Sequence, residues 1–143
     1  MIRVVFDANV FVAGLPATSG ALVTLIKAWR AGAFQVVVSE HIMEKTRGAW
    51  TKPYWCRRFS PEQVDRAMRL IQRKTELTPI TVQIVGVATH AEDDVVLATA
   101  VSGRVDYLVT SDHGLRGVDD YQGIVLLSPR EFLDLLKSEG AGR

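Results

Sequence analysis

The chain has 143 residues, 48% of them hydrophobic, and its 17 Lys and Arg nearly balance 16 Asp and Glu, for a formal charge of +1. Residues 1–143 are therefore expected to form a single domain around one large core. No window approaches eighteen uninterrupted apolar residues, Met1 leads into an apolar run without a basic leader, and the lone Cys56 has no partner at disulfide or zinc spacing, so the expectation is a cytoplasmic protein without membrane segment, disulfide framework or zinc-cysteine site.

Residues 2–6 form a short β-branched apolar run, the pattern of a strand buried on both faces, and the run stops at Asp7. Ser19 is placed to cap a helix with Leu22, Val23, Leu25, Ile26 and Trp29 on its apolar stripe, ending near Gly32. Residues 34–38 read as a second buried strand. A helix over about 40–50 turns Ile42, Met43, Thr46 and Trp50 inward, and another starts at Ser60-Pro61-Glu62, an N-cap followed by an N1 proline. Together they make a helical arm over roughly 40–76. Residues 82–87 are predicted as a third strand, 94–101 as a short helix, 107–110 and 124–127 as further strands. Ser128-Pro129 starts a closing helix, with residues 139–143 expected to fray. Strands alternating with helices predict a three-layer α/β/α domain around a central, mainly parallel five-stranded sheet, in which ligands bind beyond the carboxyl ends of the strands.

Carboxylates stand where that rule puts ligands. Asp7 and Asn9 follow the first strand; Asp93 and Asp94 open the helix that runs through Leu97-Ala98-Thr99-Ala100; Thr110, Ser111 and Asp112 end the fourth strand. Any one of these acids has an ordinary explanation as a cap or turn residue. Their joint occurrence is less ordinary, since adjacent carboxylates repel unless solvent or a cation offsets them. Oxygen ligands of this kind suit Mg²⁺ or Mn²⁺, which retain waters and bind substrate phosphates. His41, His90 and His113 have no metal-binding spacing, and no Ser/His/Asp or Cys/His set competes.

Charge is also segregated along the chain. Residues 45–74 hold nine Lys and Arg against only Glu62 and Asp65, leaving about −6 on the rest. Arg47, Lys52, Arg57, Arg58, Arg66, Arg69 and Arg73 are candidate RNA-binding residues, interleaved with Trp50, Tyr54, Trp55 and Phe59, which suit either base stacking or a satellite core or dimer interface.

Val4-Val5-Phe6-Asp7-Ala8-Asn9-Val10, Val38-Ser39 with its following acidic helix, Asp93-Asp94 leading into Leu97-Ala98-Thr99-Ala100, Leu108-Val109-Thr110-Ser111-Asp112, and the ending Leu127-Ser128-Pro129-Arg130-Glu131-Phe132-Leu133 resemble, in that order, the PIN domain family, particularly its branch of toxins from toxin-antitoxin systems. The resemblance covers nearly the whole chain. It implies a metal-dependent endoribonuclease that hydrolyses RNA phosphodiester bonds with Mg²⁺ or Mn²⁺ held by Asp7, Glu44, Asp94 and Asp112. Asn9, Asp93, Thr110 and Ser111 would support the site, and Asp93 is able to share or replace the role of Asp94. It also implies a homodimer neutralised by a cognate protein antitoxin. One departure stands out: the second acid of the branch aligns with Lys45, leaving Glu44 or Glu40, one and five positions away, to replace it or no acid at all. A single helical position is a rotation of about 100°. A catalytically weak PIN-fold RNA-binding or regulatory protein is the alternative that this departure favours. Aspartyl-phosphate chemistry at Asp7 is a more distant one, because the second Asp of haloacid-dehalogenase-type enzymes is Asn9 here.

Overall fold

The computed structural model describes residues 1–141. Strand β1 (Arg3–Phe6) leads into α1 (Ala8–Gly14) and α2 (Ala21–Arg30), and β2 (Gln35–Val38) into α3 (Glu40–Trp50), α4 (Pro53–Cys56) and α5 (Pro61–Lys74). Strand β3 (Thr75–Leu77) follows α5 without a turn; then come α6 (Ala91–Ser102), β4 (Tyr107–Val109), α7 (His113–Arg116), β5 (Asp120–Tyr121), β6 (Ile124–Leu127) and α8 (Pro129–Ala141). The sheet has six strands in the order β3-β2-β1-β4-β6-β5. All neighbours run parallel except the two-residue β5, which pairs antiparallel with β6. The fold is the expected α/β type, with one more strand than the five read from sequence.

Strand order fixes where a ligand belongs. The chain steps from β1 to β2 and β3 in one direction, then crosses back to β4 on the other side of β1. Right-handed crossovers put those connections on opposite faces of the sheet, so the ends of β1 and β4 flank a crevice that neither connection covers. Asp7 and Thr110 immediately follow those two strands.

The central strands are apolar because both faces are covered. Val4, Val5, Phe6, Val36, Val37, Leu108 and Val109 are buried. Phe6 makes edge-to-face contacts with Phe11, Trp29 and Phe34, and Phe34 carries the cluster on to Phe132 of α8. On α3, Ile42, Thr46 and Trp50 form the buried stripe, and the Trp50 indole N–H donates to the Val12 carbonyl (3.1 Å), tying α3 to α1. Ser60 and Gln63 close a reciprocal capping box on α5, and Ser128 and Glu131 do the same for α8.

Two expectations are corrected. Residues 82–87 are not a strand: Val82, Val85 and Val87 are exposed, Gly86 has φ 74°, and the place beside β2 belongs to β3. That strand is short and carries Glu76, which is held by Arg3 of β1 through a bidentate pair (3.1 and 2.6 Å). Helix α2 is preceded by Gly20 (φ 91°) rather than capped by Ser19. Of the expected frayed tail, Glu139 to Ala141 belongs to α8, while 142–143 lie outside the described residues. Among the described residues, no helix is long and apolar enough to cross a membrane.

Helix α6 ends against the sheet at Gly103, where an added Cβ would lie 2.7 Å from Val37 Cγ1 and 3.3 Å from the Thr99 carbonyl oxygen. Gly103→Ala should therefore cost about 1–3 kcal/mol, the range for overpacking a filled core. Urea unfolding would measure it, and an unchanged midpoint would mean that Val37 can yield without strain.

Candidate functional site

Asp7 is 2% exposed and sits at the N-cap of α1. One carboxylate oxygen accepts the Ala8 N–H (2.7 Å), while the other accepts the Thr110 hydroxyl (2.8 Å) and the Asn9 amide (3.3 Å). Thr110 is fully buried, and its Oγ1 also accepts the Asp112 N–H (3.0 Å). One hydroxyl thus joins the acid after β1 to the start of the Asp112 loop. Asn9 adds a second link, its Oδ1 accepting the Ser111 N–H at 3.3 Å. Asp112 caps α7: its Oδ1 receives the N–H groups of Gly114 (2.8 Å) and Leu115 (3.1 Å).

The adjacent acids of α6 have separate tasks. Asp94, 4% exposed, accepts three backbone N–H groups from the segment before its own helix, those of Gly86 (2.9 Å), Val87 (3.2 Å) and Ala88 (2.7 Å). Both its oxygens are used in folding residues 86–88 back onto the helix. Asp93 is equally buried, and no hydrogen bond acts on its ionisation. Burial pushes the Asp93 carboxyl above the ordinary aspartate range, and the charges of Asp112 and Asp7 push the same way; Lys45 and His90 oppose them. Asp94 is thus engaged by the loop, while Asp93 accepts none of these bonds and is the acid of α6 on which the charges of Asp112 and Asp7 act.

The second acid named from the sequence lies elsewhere. With Ile42, Thr46 and Trp50 facing the core, Glu44 is two positions, or about 200°, around the helix from Ile42, and both Glu44 and Glu40 are exposed. Lys45, half-buried, takes the place beside the acids, with its Nζ 3.5 Å from Glu92. Ser39, at the start of α3, is linked to α6 by the Thr99 hydroxyl, which donates to Ser39 Oγ (2.9 Å). Residue type alone gave no sign of either contact; for Lys45 the signal lay in the helical phase set by Ile42, Thr46 and Trp50.

Asp7, Asp93 and Asp112 offer oxygen donors only, which fits a hard divalent cation. Asp93 brings a carboxylate that accepts no hydrogen bond among the described residues and whose charge is disfavoured by burial and by Asp112 and Asp7, a cost that such a cation would relieve. Among the described residues, no three His, Cys, Asp or Glu side chains are grouped closely enough to hold a metal ion between them, so an ion here would rest on fewer protein ligands. An ion here would keep part of its water shell.

The basic residues divide into two groups. Arg66, Arg69 and Arg73 of α5 line a groove of about 590 Å³ with Arg30, Phe59 and Leu15. Around α4, Arg47 pairs with Asp65 (3.7 Å), Arg58 lies over the exposed Tyr54 ring (3.8 Å), and Lys52 and Arg57 are exposed. Trp50 and Phe59 pack together (ring centroids 5.0 Å apart); Trp50 is enclosed in the core and unavailable for base stacking, while Phe59 also lines the groove.

A mainly parallel sheet with acids after β1 and β4 and in the first turn of α6 defines an α/β protein with an acidic switch point. The chain belongs to the PIN domain family, whose members are generally nucleases: the PIN domain profile matches residues 3–114, from β1 into α7. Among solved structures it is similar to PAE2754 from Pyrobaculum aerophilum, with a TM-score of 0.67, 14% identity and 96% of each chain covered. It is also similar to VapBC2 from Rickettsia felis bound to a DNA fragment from their promoter, with a TM-score of 0.61, 10% identity, and 89% of this chain and 98% of that one covered. At such identity these likenesses describe the fold. No curated protein matches the chain.

The division of labour between Asp93 and Asp94 is measurable as stability. Asp94→Ala should cost roughly 2–3 kcal/mol, because three N–H groups lose a charged acceptor. Asp93→Asn should instead stabilise the metal-free protein at neutral pH. The folded state holds the Asp93 proton more tightly than the unfolded chain, so this group's contribution to stability falls as pH rises from the ordinary aspartate range through the raised value. The gain from Asp93→Asn should thus vanish toward acid pH. Chemical denaturation in EDTA across pH would show it; equal losses for both variants would contradict the assignment.

Proposed function

We propose that this PIN domain is a metal-dependent endoribonuclease, the toxin of a toxin-antitoxin pair. The observation carrying the proposal is Asp93: the residue is 4% exposed, its carboxylate accepts no hydrogen bond among the described residues, and burial and the charges of Asp112 and Asp7 disfavour its ionised form. Asp7, Asp93 and Asp112 would hold Mg²⁺ or Mn²⁺. Such an ion, when bound, supplies Lewis-acid polarisation of a phosphoryl oxygen and favours deprotonation of water.

The surrounding residues orient the acids. Thr110 fixes one oxygen of Asp7 and the backbone of Asp112 together, and Asn9 braces the same pair of loops. Asp94 serves the site by fixing residues 86–88 against α6 and thereby the start of the helix that carries Asp93. Arg66, Arg69 and Arg73 would neutralise phosphates along the RNA backbone, with the exposed Arg47, Lys52, Arg57 and Arg58 as further contacts. The likeness to the VapBC2 complex supports a protein antitoxin as partner; homodimerisation and a cytoplasmic location belong to the same reading.

One arrangement favours a second reading, a PIN-fold RNA-binding or regulatory protein with weak catalysis. Glu44 and Glu40 face solvent, and the helix following β2 presents a cation to the acids instead. The two readings separate in one assay. Labelled structured RNA incubated with Mn²⁺ or Mg²⁺ should be cleaved, and cleavage should fall on the order of 100-fold or more with Asp7→Asn or Asp93→Asn, the scale for removing a group that stabilises developing charge. EDTA should abolish it. RNA that is bound but not cut would favour the second reading, and cleavage surviving both substitutions would place the chemistry outside these acids.

A further inference from the structure

The acid rim contains its own positive charge. Lys45 projects from α3 toward the N-terminal turn of α6, where its ammonium lies 3.5 Å from Glu92, the residue preceding Asp93. The lysine side chain is 35% exposed and the glutamate 72%. An exposed pair of that kind adds little stability and exchanges readily. The placement of the lysine, by contrast, is built. Ile42 and Thr46 flank it in the buried stripe, and the bond between Thr99 and Ser39 fixes the start of α3 against α6. Asp93 follows Glu92 in the same first turn of α6, 4% exposed and accepting no hydrogen bond among the described residues.

Resting on the metal-dependent reading, we infer that Lys45 supplies the second positive charge of this site, so that the rim takes one divalent ion and the ammonium leaves Glu92 to contact a phosphate oxygen of bound RNA. Two effects follow from one charge. An ammonium next to the acids competes electrostatically with a divalent ion, lowering metal affinity and leaving no room for a second ion. The same ammonium offers three donors to a phosphate that the carboxylates alone would repel. The relevant substrate chemistry is a phosphodiester. Lys45 is thereby a substrate-binding residue that also sets metal occupancy.

Two measurements test this on the intact protein. In calorimetric titration with Mn²⁺, the wild type should bind one ion, and Lys45→Glu, which adds an oxygen ligand and removes the competing cation, should bind Mn²⁺ at least about tenfold more tightly. In fluorescence anisotropy with a labelled single-stranded oligoribonucleotide in EDTA, Lys45→Gln should weaken binding several-fold and reduce the salt slope by about 0.7, the counterion equivalent of one phosphate contact. Lys45→Arg should retain both affinity and slope. Thermal melts would confirm that the exposed-end substitutions leave the fold intact. Unchanged Mn²⁺ affinity in Lys45→Glu, or an unchanged salt slope in Lys45→Gln, overturns the inference while leaving the metal-dependent reading standing. Absence of Mn²⁺ binding in the wild type and in Lys45→Glu overturns both, as does Mn²⁺ binding that Asp93→Asn leaves untouched.

Discussion

The burial of Asp93 near the charges of Asp112 and Asp7 is the electrostatic cost that the elements around the switch point have to carry. Burial pushes the Asp93 carboxyl above the ordinary aspartate range, and the charges of Asp112 and Asp7 add to it. A sheet of this size does not need such a group for its core. The cost is tolerated because rigid elements hold each acid from behind: Asp7 by the first turn of α1 and by Thr110, Asp112 by the turn of α7 that it caps, Asp93 by the helix α6. Folding free energy from the aromatic and aliphatic core offsets that electrostatic cost; on the proposed reading a bound cation would relieve it.

Parallel topology accounts for how acids so far apart in sequence meet. Asp7 and Thr110 are 103 positions apart and share a hydrogen bond because β1 and β4 are neighbours in register, Phe6 opposite Val109. This arrangement uses only the strand order. It also explains why α6 can place Asp93 there, since the β3-to-β4 crossover begins at the same end of the sheet. Asp94 illustrates how locally such a site must be specified. One residue along the same helix, a carboxylate turns to bind three N–H groups of the incoming loop and becomes structural.

Much of this was legible in the sequence, and the failures have distinct physical causes. Strands β1, β2, β4 and β6 announce themselves as short β-branched runs because both their faces are buried. Strand β3 does not, for it is a three-residue edge strand, and a more apolar segment nearby, 82–87, mimics a strand while lying exposed. The acids after β1 and β4 could be placed from sequence because strand ends set their direction. The choice between Asp93 and Asp94 could not, since α6 is apolar on nearly every side and offers no amphipathic phase from which to read an inward face. On α3 a phase does exist in Ile42, Thr46 and Trp50. Followed strictly, it would have turned Glu44 outward and Lys45 toward the rim, so there the signal was present and the preference for an acid overrode it.

The segregation of charge gains a physical sense on the proposed reading. An acid rim attracts cations and repels nucleic acid, whereas the arginines of the α5 groove attract nucleic acid without regard to sequence. Bringing a phosphodiester to the carboxylates requires neutralising the rim, and each bound phosphate in turn favours retention of the neutralising cation. Metal and RNA binding are then positively coupled by linkage, each increasing the affinity for the other. Lys45 weakens that dependence, since a charge fixed in the chain neutralises part of the rim before any ion arrives. A domain of this design trades metal affinity for readiness toward its polyanion, which is a consistent reason for a lysine to stand between α3 and three carboxylates.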